Sequence, residues 1–520
     1  MDKGEALGRW QCVIALAVVV GGLAVKSALS KEKSNPKGLP LPPGPKGLPV
    51  LGNALQIPQT KAWLVYDEWA KKYGDVMFVE ALGQKIIILN SLSAATDLLE
   101  KRALNYSDRL ALPSFEMMGF NWNFSLVSYG KTWRAHRRAF HQCLNHNQTV
   151  TYLPIVEEEM RGFMRHLSAK PEDLYHHARN YFGSVIMRVA YGVNDFKYNS
   201  PLIDDAETLI QRFSETTVPG RLLVNSFSFL RHVPDWFPGT QWKQTLKEVA
   251  VISDRVVSKP FSDAKIRLNT DPEQDKYPSM VKELMPEIAS EANIDHHEQE
   301  IIARNTAAQT YIAGSDTTMT SMLALIAVLL VYPDVQKKAR DEVDAVIGCD
   351  RLPNAQDLDH LPYIEALVKE VSRWFTVLPM GVPHQSRDDD EYNGYFIPGK
   401  TLFLMNAWAM MHDPEVFTNP FDFNPDRYLK DGKIDPSVLD PEAAAFGFGR
   451  RICPGRYFSN ATLKLSIASL LAVFDIRPAK DEAGNDIPVT IEQTSDLVSR
   501  VEPFQYDISP RSTHHFALLA

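Results

Sequence analysis

The chain has 520 residues with 55 basic and 64 acidic side chains, and its formal net charge of −9 excludes a nucleic-acid binder that works through overall positive charge. At 45% hydrophobic, 10% aromatic and 23% charged it is globular material with apolar surface enough for a large core, so disorder, collagen and coiled coil are excluded as its dominant state. Four cysteines, Cys12, Cys143, Cys349 and Cys453, are too few and too scattered for a disulfide scaffold, and no CxxC pair marks a zinc site.

Residues 12–25 read CVIALAVVVGGLAV, fourteen positions without a charge between Arg9 and Lys26. A bilayer core of about 30 Å takes roughly 20 helical residues, so the run is short for a span unless Lys26 snorkels and extends it to Leu29. A cleaved signal peptide lacks a clear small-x-small site here, and a core helix at the extreme terminus would have to dock on a distant body. An uncleaved single-pass membrane anchor over residues 1–30 is favoured. Lys26, Lys31, Lys33 and Lys37 outnumber the mixed charges before the run, which leaves the rest of the chain in the cytosol. Four sequons, at Asn105, Asn123, Asn147 and Asn460, are then expected to carry no glycan.

Residues 31–52 form a Pro-rich hinge, GLPLPPGPKGLPVLG over 38–52, read as a semi-rigid spacer between anchor and body. No low-complexity tract or repeat follows, so residues 53–520 are read as one domain. A strand pair is legible at Val76–Ala81 and residues 85–89 about Leu82-Gly83, and a second extended region at Tyr395–Ile397 and residues 401–405. Most other segments have helical spacing, the longest over residues 295–331, stopped by Pro333 and apolar enough in its second half to be central. The fold class is mainly α (α+β), a helical body with small sheets.

Residues 446–455 read FGFGRRICPG. A lone buried cysteine is ordinarily inert packing, and Cys12, Cys143 and Cys349 are read that way. Cys453 is different. Glycines at 447, 449 and 455 allow a tight turn and close backbone approach to a flat macrocycle, and backbone N–H groups can temper a thiolate. The run resembles the haem-binding signature of the cytochrome P-450 family, F-x-x-G-x-R-x-C-x-G, at Phe446, Gly449, Arg451, Cys453 and Gly455. A chance match is expected on the order of once in ten thousand sequences.

The resemblance implies a cytochrome P-450 fold enclosing haem b, with Cys453 as the axial thiolate ligand to iron and Arg451 at a propionate. Ala313-Gly314-Ser315-Asp316-Thr317-Thr318, in the long helix, resembles the family's A-G-x-[DE]-T-T. It implies that Thr317 hydrogen-bonds bound dioxygen and relays protons, that Asp316 supplies them, and that Gly314 beside Ala313 leaves room for the diatomic. The competing reading is a Ser/Thr cluster bonded back to its own carbonyls. Glu370 and Arg373 match E-x-x-R, and with Arg427 are implied to form a structural network that locks the cysteine loop; Glu158 and Arg161 have the same spacing without the position. Trp133 and Arg137 match W-x-x-x-R, implied propionate contacts, and His384 is a further candidate. Lys131, Arg134 and Arg138 are a candidate docking patch, or a solvated helix face.

The implied reaction inserts one oxygen atom of O2 into a lipophilic small molecule, a terpenoid or polycyclic aromatic, as in membrane-bound fungal members of specialised metabolism. No flavin-binding fingerprint is present, so electrons come from an NADPH-dependent diflavin reductase, with cytochrome b5 as a second donor, at the endoplasmic reticulum membrane. Substrate contacts are expected from residues 107–127, whose Phe115, Met117, Met118, Phe120, Trp122 and Phe124 would line an apolar pocket, and from 210–240, 376–384 and 494–499. The alternatives are a haem-thiolate isomerase or dehydratase, and a non-catalytic haem- or lipid-binding membrane protein.

Overall fold

The computed structural model describes residues 35–217, 221–270, 277–290 and 296–519. The expected anchor at 1–30 lies outside the described residues. The longer helices are α1 (Lys131–Cys143), α2 (His146–Ala169), α3 (Leu174–Tyr191), α4 (Phe196–Thr217), α5 (Gln241–Thr270), α6 (His296–Val331), α7 (Pro333–Ile347), α8 (Pro362–Trp374) and α9 (Arg456–Val473). The fold is helical with small sheets, as the composition and spacing imply.

Helix α6 is the axis of the body. From Met322 to Leu330 every side chain is buried, the pattern of a helix enclosed on all sides, and it ends where Pro333 opens α7 at its first turn. Among the described residues it alone is long and apolar enough to cross a membrane, but 72% of its apolar window is buried inside the protein, which makes it a core helix. Helices α1, α3, α5 and α9 pack around it. Gly314 lets α3 come close, because a Cβ there would sit 2.9 Å from Ile186 Cδ1. The space expected at Gly314 for a diatomic is, in this direction, space for Ile186.

The main sheet has strands β1 (Val76–Ala81), β2 (Gln84–Leu89), β3 (His384–Gln385) and β4 (Leu402–Met405) in the order β1-β2-β4-β3. Leu82 (φ 50°) and Gly83 (φ 84°) make the two-residue turn of the β1–β2 hairpin, the left-handed pair whose twist suits antiparallel strands. The second extended region divides at Pro398-Gly399: Tyr395–Ile397 pairs with Asp390–Tyr392, while β4 runs parallel to β2.

The Pro-rich stretch departs from the spacer expectation. Phe78 N–H donates to Pro43 O (2.9 Å), Phe396 N–H to Pro40 O (2.8 Å) and Asn53 N–H to Glu80 O (2.5 Å), so residues 40–53 cover the open edge of β1. Gly44 is required by that approach, since a Cβ would lie 1.9 Å from Phe78 O. The described part of the hinge is docked rather than loose.

Candidate functional site

The cysteine loop is a tight hairpin between a short helix (Glu442–Ala445) and α9. Cys453 N–H donates to Phe446 O (2.8 Å), closing the loop, and Gly447 (φ 78°) and Gly449 (φ 54°) take left-handed conformations inside it. At Gly449 a Cβ would lie 2.2 Å from Leu99 O, so the loop seats directly on the wide-turned segment Thr96–Lys101. Cys453 as a residue is half-buried. Burial pushes its thiol up from the ordinary value, while the Gly455 N–H, Arg137 and Arg456 favour the thiolate.

The middle of α6 has an open face. Ala313 is exposed and Thr317 half-buried although Ile312, Asp316 and Thr318 are buried, so this side of the helix is left uncovered. Thr318 Oγ1 lies 3.3 Å from Ser459 Oγ of α9, which ties the helix to the element that follows the cysteine loop. Thr317 Oγ1 donates to Ala313 O (2.8 Å), the back-bonded arrangement of the competing reading. Asp316 is paired: Arg500 Nε and Nη2 donate to its two carboxylate oxygens, each at 3.1 Å.

On the side of α1 and β3, basic side chains outnumber the one carboxylate beside them, Asp108. Arg451 is buried over the Trp133 ring (4.6 Å) and donates to Ser107 O (2.8 Å) and Val127 O (2.7 Å). Arg109, also buried, donates to Ser125 O (3.0 Å), Val382 O (2.8 Å) and Pro383 O. His384 Nδ1 lies 2.7 Å from Tyr106 O. Burial pushes Arg451 down to about 10, and burial with Arg451 close by holds Arg109 well below the ordinary arginine value. Burial and Arg109 do the same to His384, so its neutral form is favoured. Arg137, half-buried, has no hydrogen bond or ion pair among the described residues. Two guanidiniums sunk in the interior with Asp108 as their main counter-charge make a donor set that fits a dianionic group such as the two propionates of haem. The half-buried Cys453 and the bare face of Ala313 suit a flat macrocycle.

Glu370, Arg373 and Arg427 meet as one unit. Arg373 Nε and Nη2 donate to the Glu370 carboxylate (both 2.8 Å) and its Nη1 to Met411 O (2.9 Å) and Pro420 O (2.7 Å), with Arg427 Nε reaching Glu370 Oε1 (3.1 Å). Glu370 and Arg373 have no side-chain exposure at all. The other E-x-x-R is unlike it: Glu158 pairs with Arg188 of α3, not with Arg161.

The expected apolar loop divides. Phe115, Phe120 and Trp122 are buried against one another, Phe213 of α4 and Ser253 of α5, the last by a Trp122 Nε1 hydrogen bond (2.9 Å); they roof the interior as core rather than line an open surface. Sequence reasoning missed Arg109 and Arg500. Arg109 stands in an otherwise apolar loop and Arg500 next to an expected substrate segment, and an arginine in such a setting is the only signal either offers.

The comparisons with known proteins agree with this geometry. The Cytochrome P-450 family model matches residues 42–507. The chain is 51% identical over 512 residues to Cytochrome P-450 monooxygenase COX1 of Coprinopsis cinerea, covering 98% of this chain and 99% of that one. It is 39% identical to Cytochrome P-450 monooxygenase COX2 of the same fungus (95% and 93% covered) and 38% identical to Cytochrome P-450 monooxygenase 208 of Postia placenta (92% of each). The fold and site define a helical enzyme built around a cysteine loop, and the chain belongs to the cytochrome P-450 family. It is an enzyme of the haem-thiolate monooxygenase type, for which a redox partner and a small-molecule substrate are needed.

Proposed function

We propose that the chain inserts one oxygen atom of O2 into a lipophilic small molecule, a terpenoid or polycyclic aromatic, the second oxygen leaving as water. The observation that carries it is a half-buried Cys453 on a tight glycine-bearing loop, the following helix of which is tied through Ser459 to Thr318 of α6 next to the bare Ala313–Thr317 side, with two buried guanidiniums that share Asp108 as main counter-charge. Cys453 would hold the iron of haem b through its thiolate, and Arg109, Arg451, Arg137, Trp133 and His384 would hold the propionates. The group, when bound, supplies the reductive activation of O2 through its thiolate-ligated iron. The chain's own contribution is placement and proton supply. The Gly455 N–H and Arg137 hold negative charge on sulfur. Thr317, whose hydroxyl now donates to Ala313 O, turns outward to give a proton into the open space, and Asp316 replaces it. The buried aromatics from 115 to 124 keep water out.

Electrons reach the site from NADPH through a separate diflavin reductase, with cytochrome b5 as a second donor. Lys131, Arg134, Arg138 and Arg450 are exposed around Tyr129, over whose ring Arg450 (5.2 Å) and Arg134 (5.7 Å) lie, and they suit an acidic partner. Residues 1–30 anchor the protein in the endoplasmic reticulum membrane with residues 53–520 as one cytosolic catalytic domain. Exposed Phe229, Trp236 and Phe237 favour contact with the bilayer. Asn123 is buried, which favours an unglycosylated state.

A reduced carbon-monoxide difference spectrum on the wild type and Cys453→Ser tests the ligand: the thiolate-type band is expected in the first and absent in the second, and its absence from both removes the proposal. Strict NADPH dependence of product separates the monooxygenase from a haem-thiolate isomerase. Glycan on any of the four sequons in microsomes overturns the cytosolic placement.

A further inference from the structure

The first half of α6 carries four polar side chains, Asn305, Thr306, Gln309 and Thr310, each at no more than 7% exposure. Buried amides and hydroxyls are ordinarily hydrogen-bonded, because taking them out of water without a partner costs stability. Two of the four follow that rule. Asn305 Oδ1 accepts from Arg304 Nε and Nη2 (both 3.2 Å) and its Nδ2 meets His136 Nε2 (3.3 Å), while Thr310 Oγ1 donates to Thr306 O (2.9 Å). The other two break it: Gln309 Oε1 and Thr306 Oγ1 have no partner among the described residues. Thr310, Ser315 and Thr317 each return a hydroxyl to the carbonyl four positions back, a route that Thr306 does not take.

Helical geometry brings the two orphans together. Thr306 and Gln309 are three apart and therefore neighbours on one face, and Gln309, Ala313 and Thr317 follow one another at steps of four along the same side. That side is uncovered at Ala313 and Thr317. At a rise of 1.5 Å per residue, Gln309 sits about 6 Å along the axis from Ala313. The neighbouring polar handles are already engaged. Trp122 Nε1 donates to Ser253 Oγ (2.9 Å), and His136 meets Thr132 O through Nδ1 (2.8 Å) and Asn305 through Nε2. The aromatic side chains from 115 to 124 otherwise present carbon, so an unpartnered amide beside the open face of α6 is the exception that a ligand would resolve.

We infer that Gln309, seconded by Thr306, is a specificity-determining residue that binds a hydroxyl group already carried by the substrate, about one helical turn from the carbon presented at Ala313–Thr317. A hydroxyl both donates and accepts, so it can meet the amide and the threonine together. The lipophilic substrate is then an alcohol or phenol rather than a bare hydrocarbon, and a reaction that installs a hydroxyl on the hydrocarbon skeleton must come before this one. The inference rests on the monooxygenase reading and narrows the substrate class of that same site. A site whose buried polar group is left unpaired by the analogue lacking the hydroxyl discriminates against that analogue.

The test uses the haem-loaded full chain and its Gln309→Met and Thr306→Val forms, with the carbon-monoxide band confirming loading in each. One arm needs no substrate. Methionine keeps the length and flexibility of glutamine without its amide, so the Tm of Gln309→Met should hold or rise; a fall shows an amide satisfied within the fold and overturns the inference. The second arm titrates matched probes, cedrene with cedrol and naphthalene with naphthol, and follows the haem absorption shift. The wild type should bind the hydroxylated member of at least one pair about tenfold tighter. Gln309→Met should lose that preference while keeping its affinity for the hydrocarbon, and Thr306→Val should weaken it. Equal affinity within both pairs, no shift with either hydroxylated probe, or a preference that survives in Gln309→Met overturns the inference. Absence of any NADPH-dependent product in the wild type instead removes the monooxygenase reading, while the Tm and binding arms still decide what Gln309 does.

Discussion

Two ion pairs of the molecule are built to different ends. Around Glu370, Arg373 and Arg427 every guanidinium direction meets a carboxylate oxygen or a backbone carbonyl, and Asn424 N–H closes the remaining Glu370 lone pair at 2.8 Å. Asp316 and Arg500 share two hydrogen bonds of 3.1 Å, with a competing carboxylate nearby and one partner on a turn. A network satisfied in every direction has one arrangement, whereas a pair with an alternative partner has two. The first fixes the segment from Met411 to Arg427 against α8; the second ties α6 to a turn.

Removing parts of the rigid side should cost most. Arg373→Ala leaves Glu370 buried without its main partner and strands the carbonyls of Met411 and Pro420; a loss of about 3–5 kcal/mol is expected, read as failure to accumulate folded protein or as a large fall in urea midpoint. Gly449→Ala sets a Cβ 2.2 Å from Leu99 O at a left-handed φ. It should cost about 2 kcal/mol or more and lower haem retention on dilution, by moving the cysteine loop off its seat. Arg427→Gln keeps the Glu370–Arg373 core and loses one arm, so about 1–2 kcal/mol is expected in the same unfolding assay. A fall as large as that of Arg373→Ala would show that the network fails as one unit. Lys337→Ala, which breaks only the exposed pair with Asp341, should leave the melting temperature unchanged.

Much of this was legible in the residues themselves. The length of α6 follows from an apolar run stopped by Pro333, and the β1–β2 hairpin from β-branched residues about Leu82-Gly83. The cysteine loop and the Glu370 unit could be located because their chemistry needs particular residues at short, fixed spacing. What escaped depends on contacts distant in sequence. Arg109 meets Val382 and Arg500 meets Asp316, partnerships of 273 and 184 positions that no local pattern encodes. At Gly314 the sequence points to room on one side of α6, but the side chain its Cβ would strike is Ile186 of another helix. The Pro-rich stretch has the composition of a spacer, and its docking on β1 turns on backbone groups that look alike in every sequence.

The buried guanidiniums of Arg109 and Arg451 bear on how stability responds to a ligand. Their desolvation, offset in part by Asp108, costs the fold stability, and an anionic group that binds only the folded form adds to it by mass action, by RT ln(1 + [L]/Kd). The melting temperature should then climb with the concentration of that group, through the same side chains that would hold it.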